Sequence, residues 1–467
     1  MSGVRTTAGL WPAVLGALIL VTGCKDDKEP EEADGPQATA GGEAPAEPTG
    51  EDLGERDEEG EGDTGDAEGQ AAEGDEEELA ESPWGATREE QCKPPERKPT
   101  SAATRSAIAT SVEQARAGKT SEARATLQQA VSADPDAYEA MYNLGVIADR
   151  AGEDSQALEH YRKALRIQSD YEKAARGIVA IHLRRGDTDE ARRFVEALAS
   201  QYETNLELQA LHAETLVKAE RFDEAWKAAR KALQCDERFV PAMIALVKAS
   251  TQQGREELAE SVLDQALEIT DDNAELHYLK GRMLLQESGR LREAMKHLKR
   301  AVELRPSYLE ARMRLGVQLL GGGNYDQAVE QFETAAELAP DLVAVHLSLG
   351  DAYRASQQWG KAKEEFDRAL QMRPDLPEAH FNLALMYMTA GEDFPGLDAL
   401  QALQEAKKQF KKYRDLMGPR LDRDDSSEQY LADVDRQIER TKRRLEREAA
   451  QKEREAERAA RQEAEGD

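Results

Sequence analysis

The chain has 467 residues, of which 33% are charged and only 5% are aromatic, and its formal net charge at pH 7 is −31. This composition suits long, thin helices better than a thick sheet core. So large an acidic excess argues against a nucleic-acid-binding protein, because phosphate contacts need clustered Lys and Arg. The three cysteines, Cys24, Cys92 and Cys235, are too few for a disulfide framework, and a single Cys92–Cys235 bond stays an open alternative.

Residues 1–23 have the pattern of a secretory signal peptide. The apolar run over residues 8–21 is too short to span a bilayer comfortably. It is followed by Gly23-Cys24, and small residues before a cysteine resemble the lipobox of bacterial lipoproteins. That resemblance implies cleavage before Cys24 and attachment of diacylglycerol to this residue. The alternatives are an ordinary signal peptide with an incidental cysteine and a short membrane anchor.

The residue after the cysteine bears on the location of the protein. In bacterial lipoproteins, Asp directly after the lipidated cysteine favours retention in the inner membrane, and here that position is Lys25. The resemblance therefore implies a chain that is lipid-anchored in the outer membrane and lies on the periplasmic side. The inner membrane is the alternative.

Residues 24–100, which begin with the lipidated cysteine, are predicted to form a disordered acidic linker. Between Lys25 and Ser82 there are 24 acidic and 3 basic side chains, a net charge of −21. Large apolar side chains are almost absent, so this stretch cannot form a core. A flexible chain of this length has a root-mean-square span of about 45–55 Å, which charge repulsion extends. A solvated spacer is the plain interpretation, and an acidic docking site is the sharper one.

Residues 101–417 contain about nine copies of a repeat with a period of 34. The clearest copy has Leu315-Gly316, Ala328, Phe332 and Pro340, and the next has Leu349-Gly350, Ala362, Phe366 and Pro374. The copies span 104–137, 138–171, 172–205, 206–239, 240–273, 274–308, 309–342, 343–376 and 377–417. A fixed period of 34 with two helix patterns per period indicates a stacked helical solenoid. The pattern resembles the tetratricopeptide repeat (TPR) family, which implies an all-α, right-handed superhelix of helix-turn-helix units.

The repeated residue types have a physical reason. Small residues at the eighth place of a copy, such as Gly145 and Gly316, let the two helices of that copy approach closely. Alanines at the twentieth place, such as Ala328, do the same from the second helix. One helix pair cannot bury its apolar face alone, so stability is expected to come from stacking on neighbouring copies.

Residues 424–467 are predicted to form a capping helix that continues as a charged helix. Ser426 and Gln429 resemble a capping box at its start. One apolar stripe follows, made of Tyr430, Leu431, Val434, Ile438 and Leu445. Beyond it the sequence is nearly all charged residues, Gln and Ala, with opposite charges at i,i+4 spacing, which favours a free helix over a coiled coil.

The sequence holds no recognisable catalytic set. His277, His346 and His380 take the fourth place of three different copies, and His160 and His297 share the twenty-third place. Repetition at equivalent places favours a packing role over catalysis or metal binding. Phosphate-binding glycine loops and nucleophile motifs are absent from the sequence. We therefore expect no enzyme activity, no metal or other cofactor, and no small-molecule substrate.

Protein binding is the remaining function class. The TPR resemblance implies that the first helix of each copy lines a concave groove that receives an extended peptide or a helix. Carried over by place, the candidate binding residues are Tyr278, Arg282, Met313, Arg314, Leu347, Arg354, Phe381 and Asn382. This mixture of aromatic, Met and Arg side chains is typical of an adaptable protein-binding surface. The alternative is that the large apolar members pack against the second helices of the solenoid itself.

The leading hypothesis is a non-enzymatic protein–protein interaction scaffold that assembles a multiprotein complex in the bacterial envelope. The whole layout of lipobox, acidic linker, repeats and charged tail resembles the TPR lipoproteins of the myxobacterial adventurous gliding motility machinery. That narrower resemblance implies a static envelope component with outer-membrane proteins as partners. The alternative hypothesis is an accessory, chaperone-like factor for outer-membrane protein or cell-wall assembly.

The lipobox interpretation predicts the behaviour of one substitution. Cys24→Ser removes the sulfur that would carry the lipid, so incorporation of a fatty-acid probe should be abolished and an uncleaved or mislocalised precursor should accumulate. Labelling followed by membrane fractionation measures both effects, with Cys92→Ser as a matched control that should label normally. Equal labelling of the Cys24→Ser variant and the wild type would reject the lipobox.

Overall fold

The computed structural model describes Cys92, Arg97, residues 99–422 and residues 424–466. All of these belong to one compact unit, Glu78–Asp467. The predicted signal peptide, Cys24 and most of the predicted linker lie outside the described residues.

The described residues form nineteen α-helices and no strands. The first four helix pairs are α1 (Ala102–Arg116) with α2 (Thr120–Ala133), α3 (Tyr138–Arg150) with α4 (Asp154–Ile167), α5 (Glu172–Arg184) with α6 (Thr188–Gln201), and α7 (Leu206–Lys218) with α8 (Phe222–Leu233). The next five are α9 (Val240–Gln252) with α10 (Glu256–Ile269), α11 (Ala274–Leu284) with α12 (Leu291–Leu304), α13 (Leu309–Gly321) with α14 (Tyr325–Leu338), α15 (Val343–Ala355) with α16 (Trp359–Met372), and α17 (Pro377–Ala390) with α18 (Ala399–Met417). Helix α19 (Ser427–Gly466) ends the array. The all-α helix-turn-helix solenoid predicted from the sequence is confirmed.

Stacking follows the order of the chain. Each first helix packs on the second helix of its own pair, and each second helix packs on the first helix of the next pair. Successive first helices also touch each other from α1 through α9 and again from α13 through α17. We call the surface made by the odd-numbered helices α1 to α17 the first-helix layer. Residues at equivalent places on these helices therefore lie on one side of the array.

The two helices of a copy approach each other where the eighth place is a glycine. A Cβ atom built on Gly316 lies 2.7 Å from the Phe332 ring, and one built on Gly350 lies 2.6 Å from the Phe366 ring. Real Cβ atoms do not approach other atoms this closely, so a larger residue would push the rings and the helices apart. The close approach predicted from the sequence is confirmed at these copies.

The turn between the two helices needs a left-handed backbone conformation at one residue. In six copies this residue is a glycine with positive φ: Gly118, Gly152, Gly186, Gly254, Gly289 and Gly323. In the fourth and eighth copies Glu220 (φ 57°) and Gln357 (φ 61°) take that role. Glycine adopts this conformation without a steric cost, which explains its recurrence at the turn.

The hydrophobic core runs along the array as a series of clusters between neighbouring helices. The largest cluster extends from Leu298 in α12 to Ile438 in α19 and contains the fully buried rings of Phe332, Phe366 and Phe410. It spans the copies whose repeat pattern is strongest in the sequence. The second cluster joins α7 through α11, and smaller clusters join the earlier copies.

Helix α19 closes the end of the core. Val434 and Ile438 are buried, and the Tyr430 ring stacks on the Phe410 ring with centroids 5.5 Å apart. Leu445 is 42% exposed, so the apolar stripe predicted to reach this residue is buried only as far as Ile438.

The start of α19 also differs in detail from the sequence prediction. The Asp425 carboxylate accepts hydrogen bonds from the Ser427 backbone N–H, at 2.9 Å, and from the Ser427 hydroxyl. A carboxylate near the first turn is favoured by the partial positive charge there. The acceptor at this helix start is therefore Asp425, where the sequence predicted Ser426.

Within the part of the chain that the structure describes, we find no helix of sufficient length and apolar character to cross a bilayer.

The close approach of paired helices predicts the effect of overpacking. Ala328 is completely buried between α13 and α14, so Ala328→Leu should lower the free energy of unfolding by about 1–3 kcal/mol. Because neighbouring copies carry most of the stabilisation, faster hydrogen exchange should concentrate in α11 through α16. Glu337→Leu, at an exposed position of α14, is the control and should leave exchange unchanged. Uniformly faster exchange across all nine copies would contradict this nearest-neighbour picture.

Candidate protein-binding surface

The first-helix layer carries one large apolar side chain at the fifth place of each of the last four copies. Tyr278, Met313, Leu347 and Phe381 are half-buried, and all four pack partly against the largest core cluster. We call these four residues the apolar row. The Tyr278 ring lies 5.1 Å from the ring of Tyr308, the last residue of the same copy, directly before α13. Each side chain of the row is therefore partly packed inside the solenoid and partly accessible on the first-helix layer.

Phe381, the last residue of the apolar row, packs mainly against other aromatic rings of the chain. The Phe381 ring lies 5.6 Å from the Phe410 ring, 5.0 Å from the Tyr413 ring and 5.9 Å from the Tyr430 ring. The neighbouring Asn382 is buried, with 9% of its surface exposed. Helices α18 and α19 thus enclose this end, and the accessible part of the row lies on α11, α13 and α15.

The three arginines predicted for the surface are in different electrostatic situations. Arg354 is ion-paired, with 2.5 Å between its Nη2 atom and the Asp351 Oδ1 atom. Arg282 and Arg314 are half-buried, and within the described residues neither has an ion-pair partner. Two of the three guanidinium groups are therefore available to an acidic partner.

The histidines at the fourth place connect the two helices of their own copy. The His346 Nδ1 atom lies 2.6 Å from the Glu365 carboxylate, and its Nε2 atom lies 2.8 Å from the Pro340 carbonyl oxygen. His277 contacts His297 and a backbone carbonyl in the same way, and His380 contacts Gln409. These contacts confirm the structural role predicted for the three histidines.

The described residues also contain no group of three or more His, Cys, Asp or Glu side chains arranged to hold a metal ion.

A second set of contacts, which the sequence reasoning missed, lies on copies two to four. Glu139, Glu172 and Glu207 stand in the first turns of α3, α5 and α7, one per copy, and we call them the glutamate row. Residues before α1 reach this row. Thr100 donates a hydrogen bond of 2.7 Å to the Glu139 carboxylate, and the Arg97 Nη2 atom lies 2.5 Å from the Glu172 carboxylate. Only the repetition of Glu at the start of these helices could have drawn attention to them.

The surroundings of the glutamate row are partly desolvated. Burial raises the pKa of Glu207, Arg176 acts to lower it and Glu172 to raise it further. Arg176 itself lies 2.7 Å from the Glu214 carboxylate and 3.9 Å from that of Glu207. Two arginines, Arg97 and Arg176, thus neutralise part of the negative charge of the row.

A disulfide bond lies close in sequence to Arg97 and joins two of the three cysteines. Cys92 and Cys235 form a disulfide bond with their Cα atoms 5.6 Å apart, within the usual range. Cys235 lies in the connection between α8 and α9, which is 143 residues further along the chain. The bond therefore attaches the segment before α1 to the end of the fourth copy.

Family models agree with this helix pattern over most of the array. Models described as tetratricopeptide repeats match residues 111–172, then 155–214, 216–283 and 285–349, and a TPR repeat model matches residues 350–391. Together the matches run almost without a break from residue 111 to residue 391.

Two curated relatives are similar to a short part of the chain. The "Probable biofilm formation methyltransferase WspC" of Pseudomonas putida is 36% identical over 85 residues, and its namesake in Pseudomonas aeruginosa is 34% identical over 83 residues. Each alignment covers 18% of this chain and 20% of the relative. The chain therefore spans about a fifth of the length of the curated relatives it matches.

Solved structures with similar folds include a TPR protein. The structure of YrrB, described as a TPR protein with an unusual peptide-binding site, is 24% identical, with 40% of this chain and 95% of YrrB covered and a TM-score of 0.32. The Cut9–Hcn1 hetero-tetramer structure is 14% identical, with 73% and 78% covered and a TM-score of 0.46. A structure of MamA is 25% identical, with 35% and 94% covered and a TM-score of 0.31.

The histidine contacts predict a stability effect. His346 is completely buried, and His346→Leu leaves the Glu365 carboxylate without its partner, so the free energy of unfolding should fall by about 1–3 kcal/mol. Chemical denaturation measures the loss. The control is His160→Leu, because the Nδ1 atom of His160 has no hydrogen-bond partner among the described residues. Equal losses for the two variants would show that the His346 contacts add nothing to the free energy of unfolding.

Proposed function

This chain belongs to the tetratricopeptide repeat family, and on that basis we propose that it is a non-enzymatic scaffold that holds a multiprotein complex together. A TPR array is typically an interaction module without catalysis, and stacked first helices offer a long surface for another protein. The similarity to methyltransferases covers 18% of the chain and does not extend this proposal to catalysis.

The apolar row carries the proposal. Three side chains, Tyr278, Met313 and Leu347, occupy equivalent places on successive first helices and are half-buried. Apolar groups grouped on an otherwise charged surface mark an interaction site more often than chance exposure does. Aromatic and Met side chains suit such a site because they supply large contact area and adapt their shape.

The positive charge beside the apolar row indicates the chemistry of the partner. Arg282 and Arg314 stand on the same helices as Tyr278 and Met313, and within the described residues they have no acidic partner. Unpaired guanidinium groups beside an apolar row favour a partner with acidic residues, because complementary charge sets orientation and specificity. We propose that the occupant is an acidic amphipathic helix or an acidic extended segment.

We further propose that the scaffold works in the bacterial envelope. The support is the lipobox-like Gly23-Cys24 and the acidic stretch that follows it. A lipid on Cys24 would hold the array on the periplasmic side of the outer membrane, and the linker would let it reach its partners. The resemblance of this layout to gliding-motility lipoproteins supports a motility complex as the assembly.

Reversal of two charges tests the surface with little effect on packing. Arg282→Glu with Arg314→Glu should weaken partner capture in an in-cell crosslinking pull-down by at least about tenfold, which corresponds to about 1.4 kcal/mol. The melting temperature should stay close to that of the wild type.

The matched control is Arg292→Glu with Arg368→Glu, the same charge change at exposed positions of the second helices α12 and α16. This control should keep the partners. A stable complex in gel filtration supports a scaffold, whereas short-lived contact with unfolded clients supports the chaperone-like alternative. If both double variants capture the same partners equally well, the assignment of the binding surface to copies six to eight is wrong.

A further inference from the structure

We propose that the first-helix layer of copies two to four is a second binding site, specific for an extended segment that carries an arginine. In this structure the chain's own Arg97 and Thr100 occupy it. The site is separate from the apolar row, so this proposal can be tested independently of the proposed function.

The arginine subsite is built from an acidic and an aromatic side chain. The Arg97 guanidinium contacts the Glu172 carboxylate at 2.5 Å and lies over the Tyr171 ring, 5.7 Å from its centroid. Arginine is the residue that suits both partners, because its planar group pairs with carboxylates and stacks on aromatic faces. A lysine would keep the charge and lose the planar fit.

Burial shows that the subsite is more than a chance surface ion pair. With Arg97 in place, Glu172 is 8% exposed and Tyr171 is 3% exposed. A carboxylate that is so far removed from water is stable only when a cation or hydrogen-bond donors compensate it. Arg97 supplies that cation and keeps about a third of its own side chain, 37%, exposed. The protein thus holds a nearly buried carboxylate whose partner comes from outside the repeat array.

The flanking copies extend the subsite in both directions. Toward the start of the array, Thr100 donates a hydrogen bond to Glu139. Toward the next copy, Arg97 acts electrostatically on Glu207, which stands one copy beyond Glu172. One carboxylate per copy along successive first helices matches an extended chain, which meets each copy in turn.

The disulfide explains why the chain's own segment holds this site. The Cys92–Cys235 bond fixes the far end of the segment to the fourth copy, while α1 fixes its near end. A segment tethered at both ends has an effective concentration in the millimolar range, so a free competitor is excluded.

Opening the bond with a dithiol transfers two electrons and two protons to the two sulfurs, gives two thiols and converts the dithiol to a disulfide. The segment is then tethered at one end only, and an arginine-bearing segment of another protein can displace it.

A peptide probe tests the proposal on the full chain. The probe is a fluorescent peptide of residues 89–101 with Ser in place of Cys92, and the control peptide also has Arg97→Ala. The full-length Cys92→Ser with Arg97→Ala variant, whose own segment is released, should bind the probe at least tenfold more tightly than the oxidised wild type does. The control peptide should bind that variant at least tenfold more weakly than the probe. Adding Glu172→Gln should remove the difference between the two peptides.

Two results would overturn the site: equal binding of the probe to the oxidised wild type and the released variant, or equal binding of the two peptides. Circular dichroism checks that the variants are folded. If the released variant is unfolded, the wild type reduced with dithiothreitol replaces it, and probe binding should again exceed that of the oxidised chain. Unchanged binding after reduction would then reject the proposal.

Discussion

The packing of the two helices of a copy against each other is the constraint on which the rest of the structure depends. Glycine at the eighth place leaves no room for a Cβ atom beside the ring at the twenty-fourth, as Gly316 and Phe332 show. A single pair built this way buries one side only, so it is stable only between neighbours. Stacking then aligns the first helices and brings equivalent places onto one side. The apolar row and the glutamate row are consequences of that alignment.

Two parts of the first-helix layer have opposite chemical character. Copies six to eight combine half-buried Tyr278, Met313 and Leu347 with arginines that have no ion-pair partner among the described residues. Copies two to four carry the glutamate row, whose central carboxylate on Glu172 is already paired with Arg97. Complementary charge controls which partner a surface accepts and how fast it associates. With both proposed sites, one array would hold an acidic and a basic segment at separate places, which suits a scaffold.

Position in a repeat predicts the side of a helix on which a residue lies and leaves open what else covers it. Phe381 has the same place as Met313, yet α18 and α19 surround its ring because the array ends there. Leu445 continues the apolar stripe in the sequence, but it is 42% exposed because no apolar side chain in the described part of the array covers it. Both outcomes depend on where neighbouring helices stop, which a local pattern does not contain. The fourth-place histidines were predictable because their partners lie in the same copy.

The sequence by itself determined the repeat, its period of 34, the all-α class and the family, because each is written in local spacing of small, large and turn-forming residues. Which side of each first helix is offered to partners stays a prediction. Only the tertiary structure decided that Cys92 pairs with Cys235 across 143 residues and that Arg97 meets Glu172. Contacts between residues far apart in sequence depend on the summed geometry of several stacked copies. Small rotations between copies add up along the array, and no short stretch of sequence records their sum.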